Sequence, residues 1–284
     1  MCSGSIIGSK IISKKIGIIL TIFGYVTGLL AEGDMLRKGI YSIMPIDMMP
    51  FLIIALAIAI IIFIIAHKIR VPQSLSVNFT SILLGISLAA GLRINWGYVA
   101  IVLAFWIIAP IISIVMIGLL MHSTHTFTRK RKIWSTVKWI RAMLVVLSFF
   151  AAFTLGANTI GLIYSALPKN YYSLTVIVLA IIFGSIFLSS GELKRIGDEI
   201  IPLRYINAIN SQFVSVTLVE IATLFAIPLS NTQTFIASLY GSGLSYRNRI
   251  LLKKPLKSIA FIWIGGAITS LALAYFFSLA FLTI

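Results

Sequence analysis

The sequence predicts an all-α, polytopic membrane protein built from two inverted-topology repeats with broken or re-entrant helices. The first observation is composition: 60% of the 284 residues are hydrophobic and 11% are charged. Apolar runs recur from end to end, as segments that span hydrocarbon require. The second is a polar tract that interrupts those runs twice, at 71–78 and at 227–234. The copies register at a constant offset of 156, which sets Pro72 on Pro228, Ser74 on Ser230, Ser76 on Thr232, Gly85 on Gly241 and Leu88 on Leu244. Hydroxyl and amide groups in oily surroundings are costly unless they meet something polar. The third is the placement of charge. A net charge of +16 would suggest nucleic acid in a soluble chain. Here the cations lie between apolar runs, where they set topology and meet anionic lipid headgroups, so membrane lipids are the expected partner and nucleic acid is not.

About nine apolar segments follow in order: 16–31, 50–66, 73–92, 97–121, 142–168, 172–190, 205–227, 229–245 and 258–283. The first follows Lys10, Lys14 and Lys15 and could open a signal peptide, but the many later segments make it a first span. The third and eighth begin with the polar tracts and carry glycines, which suits re-entrant or broken helices better than simple spans. The segments divide into a first repeat at 1–121, a basic loop at 122–141 and a second repeat at 142–284. The single cysteine, Cys2, excludes an internal disulfide and a thiolate cluster.

With Met1 in the cytoplasm, nineteen of the 23 Lys and Arg fall on the inner side, leaving Arg37, Lys38, Arg93 and Lys169 outside. That bias fixes the orientation. Between equivalent points of the two tracts the chain crosses an odd number of times, so the copies are inverted in the membrane. Inverted repeats with interrupted helices are a transporter architecture that binds solute near the midplane. Segment 142–168 has no counterpart in the first repeat, so an equivalent helix is expected upstream of Met1.

Gly156-Ala157-Asn158-Thr159 interrupts segment 142–168. Either the glycines break the helix and expose backbone donors and carbonyls to an ion, or they allow close helix packing with Asn158 as an interhelical bond. Ser74, Ser76, Ser230, Asn231, Thr232 and Gln233 could bond back onto their own helices. Four successive polar side chains at 230–233 cannot all do so, and such a set suits a tetrahedral oxyanion or a weakly hydrated ion. Glu220 is the acid well inside a span and a candidate for carrying a proton or cation, with Gln212, Asn207 or Asn210 along the same route. Asp47, Asp34, Glu32, Asp198 and Glu199 read as solvated. His122 and His125 have metal-like spacing but no carboxylate or thiolate beside them. Trp134 and Trp139 among Lys138 and Arg141 read as interfacial anchors. The sequence has no phosphate-binding P-loop, His-Glu helix motif or Gly-x-Ser-x-Gly, so no enzyme activity is expected.

These residues resemble the inorganic phosphate transporters, a family of phosphate and sulfate permeases with a Gly-Ala-Asn-Asp and a Pro-Val-Ser-Thr-Thr-His motif in each inverted half. Gly156-Ala157-Asn158-Thr159 resembles the first motif and Pro228-Leu229-Ser230-Asn231-Thr232-Gln233 the second. Pro72-Gln73-Ser74-Leu75-Ser76-Val77 is similar to a degraded first-half copy. Further matches are Arg37-Lys38-Gly39-Ile40, Ile94-Asn95-Trp96, Trp106-Ile107-Ile108-Ala109-Pro110 and Gly197-Asp198-Glu199-Ile200. Gly4 to Lys10 looks like the stretch that follows the first-half Gly-Ala-Asn-Asp helix.

The resemblance implies a plasma-membrane symporter, commonly a homodimer, that carries inorganic phosphate with Na⁺ or H⁺ and uses no organic cofactor. Ser74, Ser76, Asn158, Ser230, Asn231 and Thr232 would bind the oxyanion. Thr159, Gln212, Glu220 and Gln233 would serve the coupling ion or the gate. Thr159 stands where the family has aspartate, Gln233 and Val77 where it has histidine, and Leu75 and Asn231 where it has threonine. These departures leave open a sulfate permease or a degenerate, non-transporting paralogue.

Overall fold

The computed structural model describes residues 13–44, 49–68, 73–129, 133–188, 205–245 and 256–283, and every regular element among them is helical. In chain order these are α1 (Lys14–Glu32), α2 (Arg37–Ile43), α3 (Met49–Lys68), α4 (Leu75–Ala89), α5 (Trp96–Arg129) and α6 (Ile133–Thr154). A π-helical segment (Leu155–Ile160) joins α6 to α7 (Gly161–Ala166). Then come α8 (Tyr171–Phe183), which ends in a second π turn (Gly184–Leu188), α9 (Tyr205–Leu224), α10 (Asn231–Leu244) and α11 (Leu256–Leu282). Val71, Pro72, Asp47, Asp198, Glu199 and most of the basic stretches at 129–132 and 247–255 lie outside the described residues.

Among the described residues, four helical stretches are long and apolar enough to cross a membrane: 15–32, 96–123, 138–166 and 260–282. Their outer faces are oily. Ile107, Ile111 and Val115 on α5 and Phe261, Ile264 and Ile268 on α11 are exposed, while Asn78, Thr80, Asn158, Ser211, Thr223 and Thr234 are buried. Apolar side chains outside and polar ones inside is the arrangement that lipid imposes on a polytopic chain.

α4 and α10 are different. They have 15 and 14 residues, about 22 and 21 Å at the α-helical rise, short of a hydrocarbon core of about 30 Å. α4 is buried from Ser76 through Leu83 without a break, and α10 is buried along most of its length. These are half-helices embedded in protein, so Ser74 and residues 227–230 ahead of them face protein and not lipid.

The offset of 156 survives in three dimensions. α3 and α9 begin and end at equivalent positions, and Ser74 and Ser230 occupy equivalent N-caps. The packing follows the same rule. α4 lies along α11 and also contacts α3, while α10 lies along α5 and also contacts α9. Each half-helix therefore docks on the long helix of the other repeat. Gly85 and Gly241 make the two dockings close: a Cβ on Gly85 would strike the Leu271 carbonyl, and one on Gly241 would lie 2.5 Å from Ile117 Cγ2 and 3.0 Å from the Ile114 carbonyl.

Candidate functional site

The site grows from the two caps. Ser74 sits in extended backbone ahead of α4 and its Oγ accepts from the Val77 N–H at 3.3 Å. Ser230 does the same for α10, accepting from the Gln233 N–H at 3.1 Å. Serine at N-cap satisfies one of the four donors that a helix start leaves open. The remaining first-turn N–H groups and the positive end of the helix dipole then favour an anion.

The π segment brings the two tips together. Its widened turn presents successive residues to both half-helices. Thr159 Oγ1 lies 3.4 Å from Ser76 Oγ in the first turn of α4. Asn158 reaches the approach to α10: its Nδ2 donates to Thr223 Oγ1 at 2.9 Å and to the Ile227 carbonyl at 3.1 Å, and its Oδ1 accepts from the Leu229 N–H at 3.1 Å. Both amide hydrogens of Asn158 are thus engaged within the protein. Gly156 lets the segment pack closely on α1, since a Cβ there would collide with the Tyr25 carbonyl.

Around these tips several buried polar atoms have no protein partner: Asn231 Nδ2 and Gln233 Oε1 on α10, Asn78 Oδ1 and Thr80 Oγ1 on α4. Asn231, Gln233, Asn78 and Thr80 are all buried. Thr232 is half-buried on the same turn. Unpaired polar atoms in a folded interior are exceptions that call for a partner. Ser215 Oγ, from α9, is 2.6 Å from Thr234 Oγ1 and ties the first turns of α10 to α9.

The remaining expected site residues lie on α9. Gln212 is buried and donates to the Leu147 carbonyl of α6 at 3.2 Å, which places it between helices about three turns from Thr223. Glu220 lies one turn before Thr223, and its carboxyl is within hydrogen-bond reach of Glu32 at the end of α1. Each of the two keeps one oxygen buried without a donor. Two carboxylates have only acceptors, so a bond between them needs a proton or a bridging cation. Glu32 is therefore not the solvated residue that its sequence neighbourhood predicts.

Asp34 is not freely solvated either. It pairs with Arg37 and, at 2.8 Å, with Lys169 Nζ. Partial burial pushes its carboxyl up, but the hydrogen bonds and charges of Lys169 and Arg37 outweigh that and hold it below the usual carboxylate range. Arg37 also donates to the Leu167 carbonyl at 3.0 Å and the Tyr164 carbonyl at 3.4 Å, and so caps the end of α7.

Residues that sequence reading did not assign to the site are Tyr98 and Trp106 on α5, Thr223 on α9, and Glu32. Trp106 lay within a family-like stretch. The others carry no local signal, because their partners are more than 100 residues away or on another helix.

The chain matches the model of the phosphate transporter family over residues 2–274. It is 26% identical over 227 residues to MJ0630, a candidate phosphate permease of Methanocaldococcus jannaschii, covering 78% of this chain and 72% of that protein. Its fold is similar to a solved structure described as the sodium-dependent phosphate transporter, with a TM-score of 0.79, 14% identity, and coverage of 98% of this chain and 92% of that one. A family match of that extent, on an all-helical membrane fold, shows that this chain belongs to the phosphate transporter family.

Proposed function

We propose that this chain is a secondary carrier of inorganic phosphate in the cell membrane, driven by Na⁺ or H⁺. The observation that carries this reading is the meeting of two serine-capped half-helix N-termini at consecutive residues of the π segment. Hydroxyls of Ser74, Ser76, Ser230 and Thr232, with first-turn N–H groups and Asn231, supply neutral donors for an oxyanion. Asn158 supports the site by holding the approach to α10. Gln233 Oε1 and Asn78 Oδ1 are buried acceptors without partners. Phosphate at neutral pH carries O–H groups that need acceptors and sulfate carries none, which favours phosphate.

The coupling ion has two candidate places. Thr159 has no charge, so Na⁺ held there would rely on hydroxyl and carbonyl oxygens. Glu220 with Glu32 offers acidic oxygens one turn from the Asn158 node. The test is uptake of radiolabelled phosphate and sulfate into proteoliposomes under imposed Na⁺ or pH gradients. Phosphate accumulation that follows one gradient is expected. Failure to take up either anion under either gradient would sink the reading. With Glu220→Gln, gradient-driven accumulation should fall at least about tenfold if the pair carries the driving proton, while phosphate exchange across the membrane without a gradient persists. An equal loss of both would assign Glu220 to structure alone.

A further inference from the structure

Three consecutive carbonyls ahead of α10 each accept a hydrogen bond from a side chain on another element. The Tyr98 hydroxyl donates to Ala226 at 2.6 Å, Asn158 Nδ2 to Ile227 at 3.1 Å and Trp106 Nε1 to Pro228 at 2.8 Å. The next group, the Leu229 N–H, donates to Asn158 Oδ1. The N–H groups of Ala226 and Ile227 close back onto the Thr223 and Ala222 carbonyls at 2.9 and 2.8 Å. Since proline has no N–H, every peptide hydrogen-bonding group from the Ala226 N–H to the Leu229 N–H is engaged. A buried elbow must find protein partners for all of these groups, and here the three carbonyls find them in side chains of other elements.

The elbow is also strained. Among the described residues Ala226 is the one non-glycine at positive φ, 58°, a conformation that a Cβ disfavours and surrounding contacts must enforce. Gly39 of α2 lies against this point: a Cβ there would strike the Tyr98 hydroxyl and sit 2.6 Å from the Ala226 carbonyl.

We infer that Tyr98 and Trp106 are positioning residues for the anion site, acting through the elbow on the Ser230 cap. The inference rests on the reading of the α10 N-terminus as the anion site. α5 belongs to the first repeat and α10 to the second, so the clamp ties the binding tip of one repeat to the long helix of the other. Pro110, one turn beyond Trp106 inside α5, withholds the helical N–H that the Trp106 carbonyl would receive. α5 is therefore weakest where it grips the elbow, and any shift of α5 reaches Ser230 through two side-chain hydrogen bonds.

Tyr98→Phe keeps the ring and removes only the donor; Trp106→Phe removes the donor and also part of the ring, so Tyr98→Phe is the cleaner test of the hydrogen bond. In the purified full chain, each should raise amide hydrogen exchange across 225–233 about tenfold, the effect of leaving one buried carbonyl without its donor. Exchange in α11 should stay unchanged. The Kd for inorganic phosphate should rise by a similar factor, with KM rising more than kcat falls. Ala226→Gly in the Tyr98→Phe background should restore much of the lost protection and affinity, because glycine takes positive φ without a clamp; a packing role for Tyr98 would not be rescued this way. If α11 exchange rises too, Gly39→Ala replaces these variants and should reproduce the local effect. Unchanged exchange at 225–233 overturns the clamp, and faster exchange with an unchanged phosphate Kd overturns the positioning role. A wild-type chain that binds neither phosphate nor sulfate overturns the transport reading and the positioning role with it, while exchange still reports whether the clamp exists.

Discussion

At the level of single residues, the two cap serines carry the clearest expectation. Ser74 and Ser230 each satisfy a first-turn N–H, and loss of such a cap costs about 1 kcal/mol of helix-start stability. Ser230→Ala should therefore raise the phosphate Kd severalfold, measured by equilibrium binding. Ser74→Ala should do so less, because the turn after Ser230 carries Asn231, Thr232 and Gln233 where the turn after Ser74 carries Leu75 and Val77 among its first residues. Equal effects would contradict this asymmetry. The serines were legible in the sequence because a Pro-x-Ser tract recurs at a fixed offset within apolar runs; that each one caps a half-helix was decided by the structure. The approach of Glu220 to Glu32 was not legible, since 188 positions separate them and only the tertiary fold sets them side by side.

At the level of elements, the half-helices depend on close approach. Gly85 meets the Leu271 carbonyl of α11 with no room for a Cβ, and Gly241 is similarly placed against α5. Backbone atoms cannot retreat as a flexible side chain can, so Gly85→Val should cost about 1–3 kcal/mol through overpacking, read as a lower Tm in detergent. Gly91→Ala is a different case: it has open space but a φ of 65°, so its smaller loss would come from backbone strain alone. The turn after α1 adds a pH-dependent contact. The Asp34 carboxyl is depressed below its ordinary value by Lys169 and Arg37, so its contribution is complete above the unfolded-state value near 4 and is lost as pH falls through the lower folded value. The Tm difference between the native chain and Asp34→Asn should be constant from about pH 5 to 8 and shrink in more acid solution. Its size is reduced by solvent screening, since Asp34 is partly exposed. A difference that grew on acidification would reverse the sign of the argument.

At the level of the whole molecule, orientation can be checked directly. With Cys2 replaced, cysteines at Arg93 and Lys169 should react with a membrane-impermeant thiol reagent from outside, and cysteines at Lys68 and Lys138 only after permeabilisation; the reverse pattern would contradict the charge bias. By itself the sequence determined the membrane class, the repeat offset of 156, the polar breaks ahead of α4 and α10, and the family-like motifs. All of these are local or periodic properties: hydropathy over a window, a polar tract repeated at a fixed offset, a proline within an apolar run. The tertiary structure decided which helix each half-helix docks on, that the two tips meet at Asn158 and Thr159, and that Tyr98, Trp106 and Asn158 grip the elbow at 226–229. In lipid every outward apolar face is equivalent, so hydrophobicity does not choose helix partners. Close packing at small residues and hydrogen bonds between distant groups make that choice, and neither is written in any single stretch of the chain.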